Sequence, residues 1–357
     1  MKRILPKLFF WIPAIAWITI VLLESILIRI HELFYLVIGT LPLISVFVFI
    51  YFAAIYTVKR TKRNKLLFLT ILVVCLVKYT DHLISFGASS PENAIELKVL
   101  TWNVQRLGAL SKNENPTNNL KQLSLILNSS KADVAVLQEI SKNQTSQLLD
   151  YLGLKDENSQ WTSYKRKTTG GIAVVLLGNN DWSMSIKNVT NLPSLWKCVY
   201  TEIKHITGQK INVLGVHIVP PEVGIDDVAR ATGNFLSGRR AGITKILKTY
   251  VGQAKMQTRQ IGTINNLVRK FNDPSIIAGD FNSTCQLPIH KELRDNLNDT
   301  WLEGGTGIGA TRYWAGILPF RIDYIYATND FQIITTNIGK AEFSDHSPVM
   351  SHLFLEQ

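Results

Sequence analysis

The stretch "SIIAGDFNST" (residues 275–284) carries an apolar run, Ile276 to Ala278, straight into Gly279-Asp280-Phe281-Asn282. A short apolar run closed by a glycine reads as a buried strand that ends at the acid. Carboxylates are costly to bury, so an acid at the mouth of such a strand is paired, caps a turn or holds a cation. Choosing among the three requires its partners, which must stand at the ends of other strands.

Strand-like runs do recur: "LKVLTWNV" (97–104), "DVAVLQEI" (133–140), "GIAVVLL" (171–177), "CVYTEI" (198–203), "INVLGVHIV" (211–219), "RIDYIYAT" (321–328) and "SPVMSHLFL" (347–355). Helical spacing lies between several of them, as in Leu120, Leu123, Leu127 and in Ile261, Ile264, Leu267, Val268. Many strands with helices interposed predict an α/β fold of two packed mixed sheets flanked by helices. No internal repeat or low-complexity segment interrupts it.

The polar residues at the strand ends form a set. Asn103 closes the first run and Gln138-Glu139 the second, His217 follows "VLGV", Asp323 sits within "RIDYI", and "SDHSP" supplies Asp345 and His346. Singly each has a structural explanation: Asn103 caps a turn, His217 is a satisfied core histidine. Together, Glu139, Asp280, Asp323 and Asp345 with Asn103 and Asn282 offer hard oxygen donors of the kind Mg²⁺ or Mn²⁺ takes, unlike the thiolate and imidazole cluster of zinc. Two histidines complete a site able to hold and polarise a phosphate. Neither a nucleophilic Ser or Cys motif nor a glycine-rich nucleotide loop competes with it.

In this order, Trp102-Asn103, Gln138-Glu139, His217, Gly279-Asp280-Phe281-Asn282, Arg321-Ile322-Asp323-Tyr324 and Ser344-Asp345-His346 resemble the endonuclease/exonuclease/phosphatase superfamily over residues 97–357. The resemblance implies a four-layer α/β/β/α sandwich with the site at one edge of the paired sheets. It implies Glu139 as principal metal ligand, helped by Asn103 and Asp345. Asp280 would deprotonate the attacking water and Asn282 would fix Asp280 and the phosphate. Asp323 would charge His346, which stabilises the phosphorus centre, and His217 would touch the phosphate from the other side. Arg259 holds the usual place before Gln260, and Arg239, Arg240 and Arg259 are candidate phosphate contacts.

The first 86 residues differ in composition. "LFFWIPAIAWITIVLLESILIRI" (8–30), "ELFYLVIGTLPLISVFVFIYFAAIYTV" (32–58) and "LLFLTILVVCLVKYTDHLISF" (66–86) read as three transmembrane helices, the last leaving the bilayer near Lys78 or lying in its interface. "MKRILPK" and "KRTKRNK" (59–65) mark the cytoplasmic side, which sends the rest of the chain outward across the cell membrane. Residues 87–96 are a linker, and 97–357 the catalytic domain. The chain carries 38 basic and 27 acidic residues, of which 11 and 5 lie in residues 1–100. That leaves +5 on the outer domain, too mild to argue for nucleic acid and suited to an anionic membrane surface. Cys198 and Cys285 either pair or are two buried thiols.

Three features point the phosphoesterase toward lipid: the anchor; a segment, residues 297–325, that resembles membrane-tethered bacterial members of a teicoplanin-resistance type associated with undecaprenyl pyrophosphate; and an insert at 222–255. In that segment Trp301, Trp314, Ile317, Leu318 and Phe320 either dip toward lipid or pack. In the insert Ile243, Ile246, Leu247, Tyr250, Val251 and Ala254 share a helical face, for a lid, an interfacial helix or simple docking. A membrane-tethered nuclease and a non-catalytic scaffold are the alternatives.

Overall fold

The apolar runs lack strict alternation because most strands are covered on both faces. In the computed structural model, residues 12–23, 41–79, 91, 94–108, 115–162, 170–177, 181–186, 197–220, 241–314, 318–340 and 342–356 are described. They fall into two compact units: Met1–Leu83 with Glu222–Ala254 and Cys285–Pro288, and the remainder, Ile84–Pro221, Lys255–Thr284 and Ile289–Gln357.

In the larger unit, two six-stranded mixed sheets form among the described residues. The first runs Phe331–Ile338, Val349–Leu355, Ile95–Asn103, Val134–Ile140, Gly171–Leu176, Ser159–Thr162; the second runs Trp182–Ile186, Lys197–His205, Lys210–His217, Ser275–Asp280, Asp323–Ala327, Asn298–Asp299. One parallel pair stands in each sheet, Ile95–Asn103 with Val134–Ile140 and Lys210–His217 with Ser275–Asp280. The first pair is bridged by the helix Pro116–Ser130, which Asn115 caps and Pro116 opens.

Alternation along each strand divides its side chains between two cores. Val99, Val134, Val136, Ile172 and Val174 meet Val199, Ile211, Val213, Ile276, Ala278 and Ile325 between the sheets. On the other face, Leu100, Trp102, Ala135 and Leu137 pack with Leu120, Leu123 and Leu127 and with Leu148 and Leu149 of the helix Lys142–Leu152. Ile261, Ile264 and Val268 of the helix Ala241–Val268 are buried, as their spacing requires. The two mixed sheets flanked by helices are those expected; Ser159–Thr162, Trp182–Ile186 and Phe331–Ile338 are additional strands, toward or at sheet edges. None of the three cysteines forms a disulfide.

Of the N-terminal runs, residues 12–23, Leu41–Val58 and Lys62–Tyr79 are described and helical. Among the described residues no helix is long and apolar enough to cross a membrane. Lys62–Tyr79 spends its first turn on Lys62, Arg63 and Lys65. Residues 8–11, 24–40 and 80–86, which belong to or join the expected spans, lie outside the described residues. Ala14, Trp17, Val21, Leu41, Phe52, Leu67 and Ile71 cluster between these helices, and Trp17 Nε1 donates to Ser45 Oγ at 2.8 Å. Their other faces are also apolar, with Ile15, Leu22, Phe47, Ile50, Val58 and Leu66 exposed.

Candidate active site

Strand register places the predicted residues side by side. In the second sheet Asp280 is opposite His217 on one flank and Asp323 on the other. In the first, Asn103 is opposite Gln138, one residue before Glu139. Both sets stand at the ends of their strands, where the ladder stops and side chains can turn toward solvent.

Local backbone shape explains why these residues and not their neighbours point together. Gly279 has φ of +153°, and a Cβ there would lie 1.9 Å from the Val216 carbonyl oxygen, so the strand can approach its parallel neighbour only with glycine before the acid. Asn282 sits at φ +48°, a left-handed residue that Asn tolerates. Glu139 also has positive φ, +58°, at a register shift between Gln138 and Ile140. The bulge leaves Glu139 without a ladder partner and re-aims its side chain, at a cost of order 1 kcal/mol in backbone strain.

Asp280, 1% exposed, is the hub. Its Oδ2 accepts from Asn103 Nδ2 at 2.9 Å and lies 3.6 Å from His217 Nε2 and 3.9 Å from His346 Nε2. Its Oδ1 accepts from the Asn282 backbone N–H at 2.8 Å. Behind it, both Asp323 carboxylate oxygens hold His346 Nδ1, at 2.9 and 3.1 Å. That bond leaves Nε2 as the free nitrogen, facing Asp280. Glu139 Oε1 is 3.9 Å from His217 Nε2, and Asp345 Oδ1 is 3.9 Å from His346 Nε2.

Burial pushes the Asp280 carboxyl up, to about 7, and the neighbouring Asp323 adds to it; His346 and the bonds from Asn103 and Asn282 pull the other way. For His346 burial opposes the charge, but Asp323 and Asp280 outweigh it and hold the imidazole up at about 9. A base titrating near neutrality thus stands beside an imidazole kept positive.

Asp280, Asp323 and His346 each bring one ligand atom within 4.8 Å of the others, a donor set of the kind that holds a divalent ion. Since His346 Nδ1 is already committed to Asp323, these three also read as a hydrogen-bonded relay. Asn103 Oδ1 accepts from the Gln105 N–H and Arg312 occupies Asp345 Oδ2. The Glu139 carboxylate makes no hydrogen bond among the described residues and is 23% exposed. An oxygen donor left open beside this set fits a hard cation.

The arginines fare differently. Arg259 is exposed, because the helix turns Gln257 and Gln260 inward. Gln257 Nε2 donates to the carbonyls of Val219 and Asn282, both at 2.9 Å, and Gln260 Oε1 accepts from the Val219 N–H at 3.0 Å. The glutamines therefore brace the turns after His217 and Asp280, while Arg259 is exposed to solvent. Arg239 and Arg240 lie outside the described residues. Trp301 is packed, 8% exposed, with Nε1 donating to Gly307 O at 3.3 Å, and does not face lipid; Ile317 and the side chains of Trp314 and Leu318 lie outside the described residues, and Phe320 is half-buried.

Other supports have roles that the sequence reading did not assign. Thr311 Oγ1 accepts from the N–H groups of Ile322 and Asp323, Ser344 Oγ donates to Asn103 O at 2.6 Å, and Arg312 pairs with Asp345. Arg312 and Thr311 precede "RIDYI" within one hairpin, which was the available signal.

A model of the Endonuclease/Exonuclease/phosphatase family matches residues 100–346. No curated protein matches the chain. Among solved structures, an endonuclease/exonuclease/phosphatase from Bacteroides vulgatus is similar at 16% identity and TM-score 0.53, over 73% of this chain and all of that one. Humanized D. rerio TDP2 is similar at 15% identity and TM-score 0.53, over 72% and 98% of the two chains. TDP2 from C. elegans is similar at 15% and 0.51, over 74% and 77%.

Proposed function

The chain belongs to the endonuclease/exonuclease/phosphatase family, whose members hydrolyse phosphoester bonds, and from that membership we propose a membrane-anchored, Mg²⁺- or Mn²⁺-dependent enzyme that cleaves a lipid-borne phosphate ester or pyrophosphate, such as undecaprenyl pyrophosphate, on the extracytoplasmic face.

One observation carries the hydrolase reading: the Asp280 carboxylate, poised near neutrality, is met by Asn103, His217 and His346. Asn103 and the Asn282 N–H orient Asp280, which takes a proton from the attacking water. His346, kept charged by Asp323, directs Nε2–H at the oxygen that gains charge as the phosphorus centre becomes five-coordinate, and His217 contacts the phosphate from the opposite side. Glu139, with Asp345 and Asn103, would hold the cation, which supplies Lewis-acid polarisation of a phosphoryl oxygen. Asn103 Oδ1 accepts from the Gln105 N–H and keeps a second lone pair for a cation.

The lipid reading draws on the N-terminal helices. Their outer faces are apolar as well as their inner ones, the pattern of helices meant for lipid. An anchor makes membrane phosphates the most concentrated esters available. The test is product release by detergent-solubilised protein with Mg²⁺, offered undecaprenyl pyrophosphate, glycerophospholipid diesters and single- or double-stranded DNA, with Asp280→Asn as the blank. Turnover of lipid and not DNA is expected; cleavage of DNA alone would replace the lipid substrate with nucleic acid. A reporter fused after Gln357 should be active outside the cytoplasm.

A further inference from the structure

Arg312 stands at the rim of this site in a position that its fold role does not explain. Its Nη2 donates to Asp345 Oδ2, and its backbone forms an isolated antiparallel bridge with His346. The neighbouring Thr311 is fixed on both sides, donating its N–H to Phe320 O at 2.9 Å and accepting from the Ser347 N–H at 2.7 Å. The arginine therefore springs from a rigid support beside His346.

Its side chain is 42% exposed and that of Asp345 35%. Pairs this open to solvent add little stability, so folding gives no strong reason for the arginine. A guanidinium carries five N–H donors, and the bond to Asp345 is the one that Arg312 makes among the described residues. The remaining donors are open at the mouth of the site.

The charge at that mouth matters to an anion. Glu139, Asp280, Asp323 and Asp345 converge there, and a substrate bearing several phosphate charges approaches four carboxylates. His346 and the cation answer for the phosphoryl group under attack; a neighbouring anionic group needs its own counter-charge. Arg312 sits one carboxylate away from His346, with the planar fork that suits phosphate oxygens.

We propose that Arg312 determines specificity by binding a second phosphate that adjoins the phosphorus under attack. The inference rests on the phosphoesterase reading and narrows it to substrates with two phosphates in reach of one another. Such a pair occurs in a lipid pyrophosphate and, with a sugar between, in nucleic acid; the chemistry is shared and the assay separates the sources.

The experiment compares kcat/KM of full-length wild type, Arg312→Gln and Arg312→Lys in detergent with Mg²⁺. One pair of substrates is farnesyl pyrophosphate and farnesyl monophosphate; the other is a thymidine dinucleotide with and without a 5′-phosphate. In the pair that wild type cleaves, Arg312→Gln should lower the preference for the second phosphate by about 10- to 100-fold, the loss of charge-assisted hydrogen bonds. The loss should lie mainly in KM, and Arg312→Lys should restore part of it. An equal fall on both members of the pair would show that Arg312 only orients Asp345 and would overturn the proposal, as would no fall at all. A wild type inert on all four substrates and on bis(p-nitrophenyl) phosphate would overturn the phosphoesterase reading itself, and this inference with it.

Discussion

Replacing Asp323 by Asn isolates the charge on His346. Asn keeps the size of the side chain and an acceptor oxygen for His346 Nδ1, now held at 2.9 to 3.1 Å, but removes the negative charge. In the wild type that charge, with Asp280, outweighs burial and holds His346 up at about 9. Between the ordinary histidine value of 6.5 and about 9 lies roughly 3 kcal/mol of preference for the charged ring. Without Asp323, burial is opposed only by the charges of Asp280 and Asp345, and the expected value falls back toward that of an ordinary histidine. At pH 8 the charged fraction then falls about 30-fold, more if burial lowers the value further. The assay is the pH dependence of kcat/KM on bis(p-nitrophenyl) phosphate at constant free Mg²⁺. Wild type should rise through about 7, where Asp280 ionises, and decline through about 9. These limbs belong to Asp280 and His346 jointly, since their ring and carboxylate lie 3.9 Å apart. In Asp323→Asn the alkaline limb should move down by two pH units or more with the fold intact by circular dichroism. A variant with the wild-type alkaline limb would refute the assignment of His346 as the charged group.

Further expectations follow from the same geometry. Because the folded-state pKa of Asp280 lies above its unfolded value, its contribution to stability is present below about pH 3.8 and is lost as pH rises through about 7; metal-free Asp280→Asn should therefore melt above wild type at pH 8, with the gap closing toward pH 4 in a thermal scan. Gly279→Ala would place a Cβ 1.9 Å from the Val216 carbonyl oxygen and should cost about 3 kcal/mol or more in urea unfolding, where a loss below 1 kcal/mol would mean that the strand relaxes freely. Glu139→Gln should weaken Mn²⁺ binding in calorimetry by at least tenfold with a normal melting temperature; unchanged binding would move the cation to the Asp280, Asp323 and His346 donors.

What the sequence disclosed of the fold depended on burial. Strands covered on both faces, such as Val134–Ile140 and Ser275–Asp280, stand out as unbroken apolar runs. Phe331–Ile338 alternates, and Ser159–Thr162 is half-buried throughout. Such segments carry weak apolar signals and are recognised through their neighbours. The helix Ala241–Val268 shows another limit: its apolar stripe is legible, but "R-Q" at 259–260 does not disclose which residue faces inward. The stripe through Ile261, Ile264 and Val268 turns Gln257 and Gln260 inward and leaves Arg259 to solvent.

For the site, residue type and strand-end position were legible, while pairing was not. Asp280 and His217 are 63 residues apart in sequence yet register partners, and Asn103 reaches Asp280 from the other sheet. Nothing local marks those distances. A sequence names an acid without its fate: Asp323 and Asp280 occupy opposite places in one antiparallel register, yet Asp323 is committed to His346 while Asp280 receives two amide donors and faces two imidazoles. That division follows from geometry alone, and on the proposed mechanism it separates the acid that sets another group's charge from the acid that takes a proton. The chemistry therefore depends less on the presence of all four carboxylates than on their unequal surroundings, and exchanging Asp280 for Glu, longer by one methylene, should impair turnover although the charge is kept.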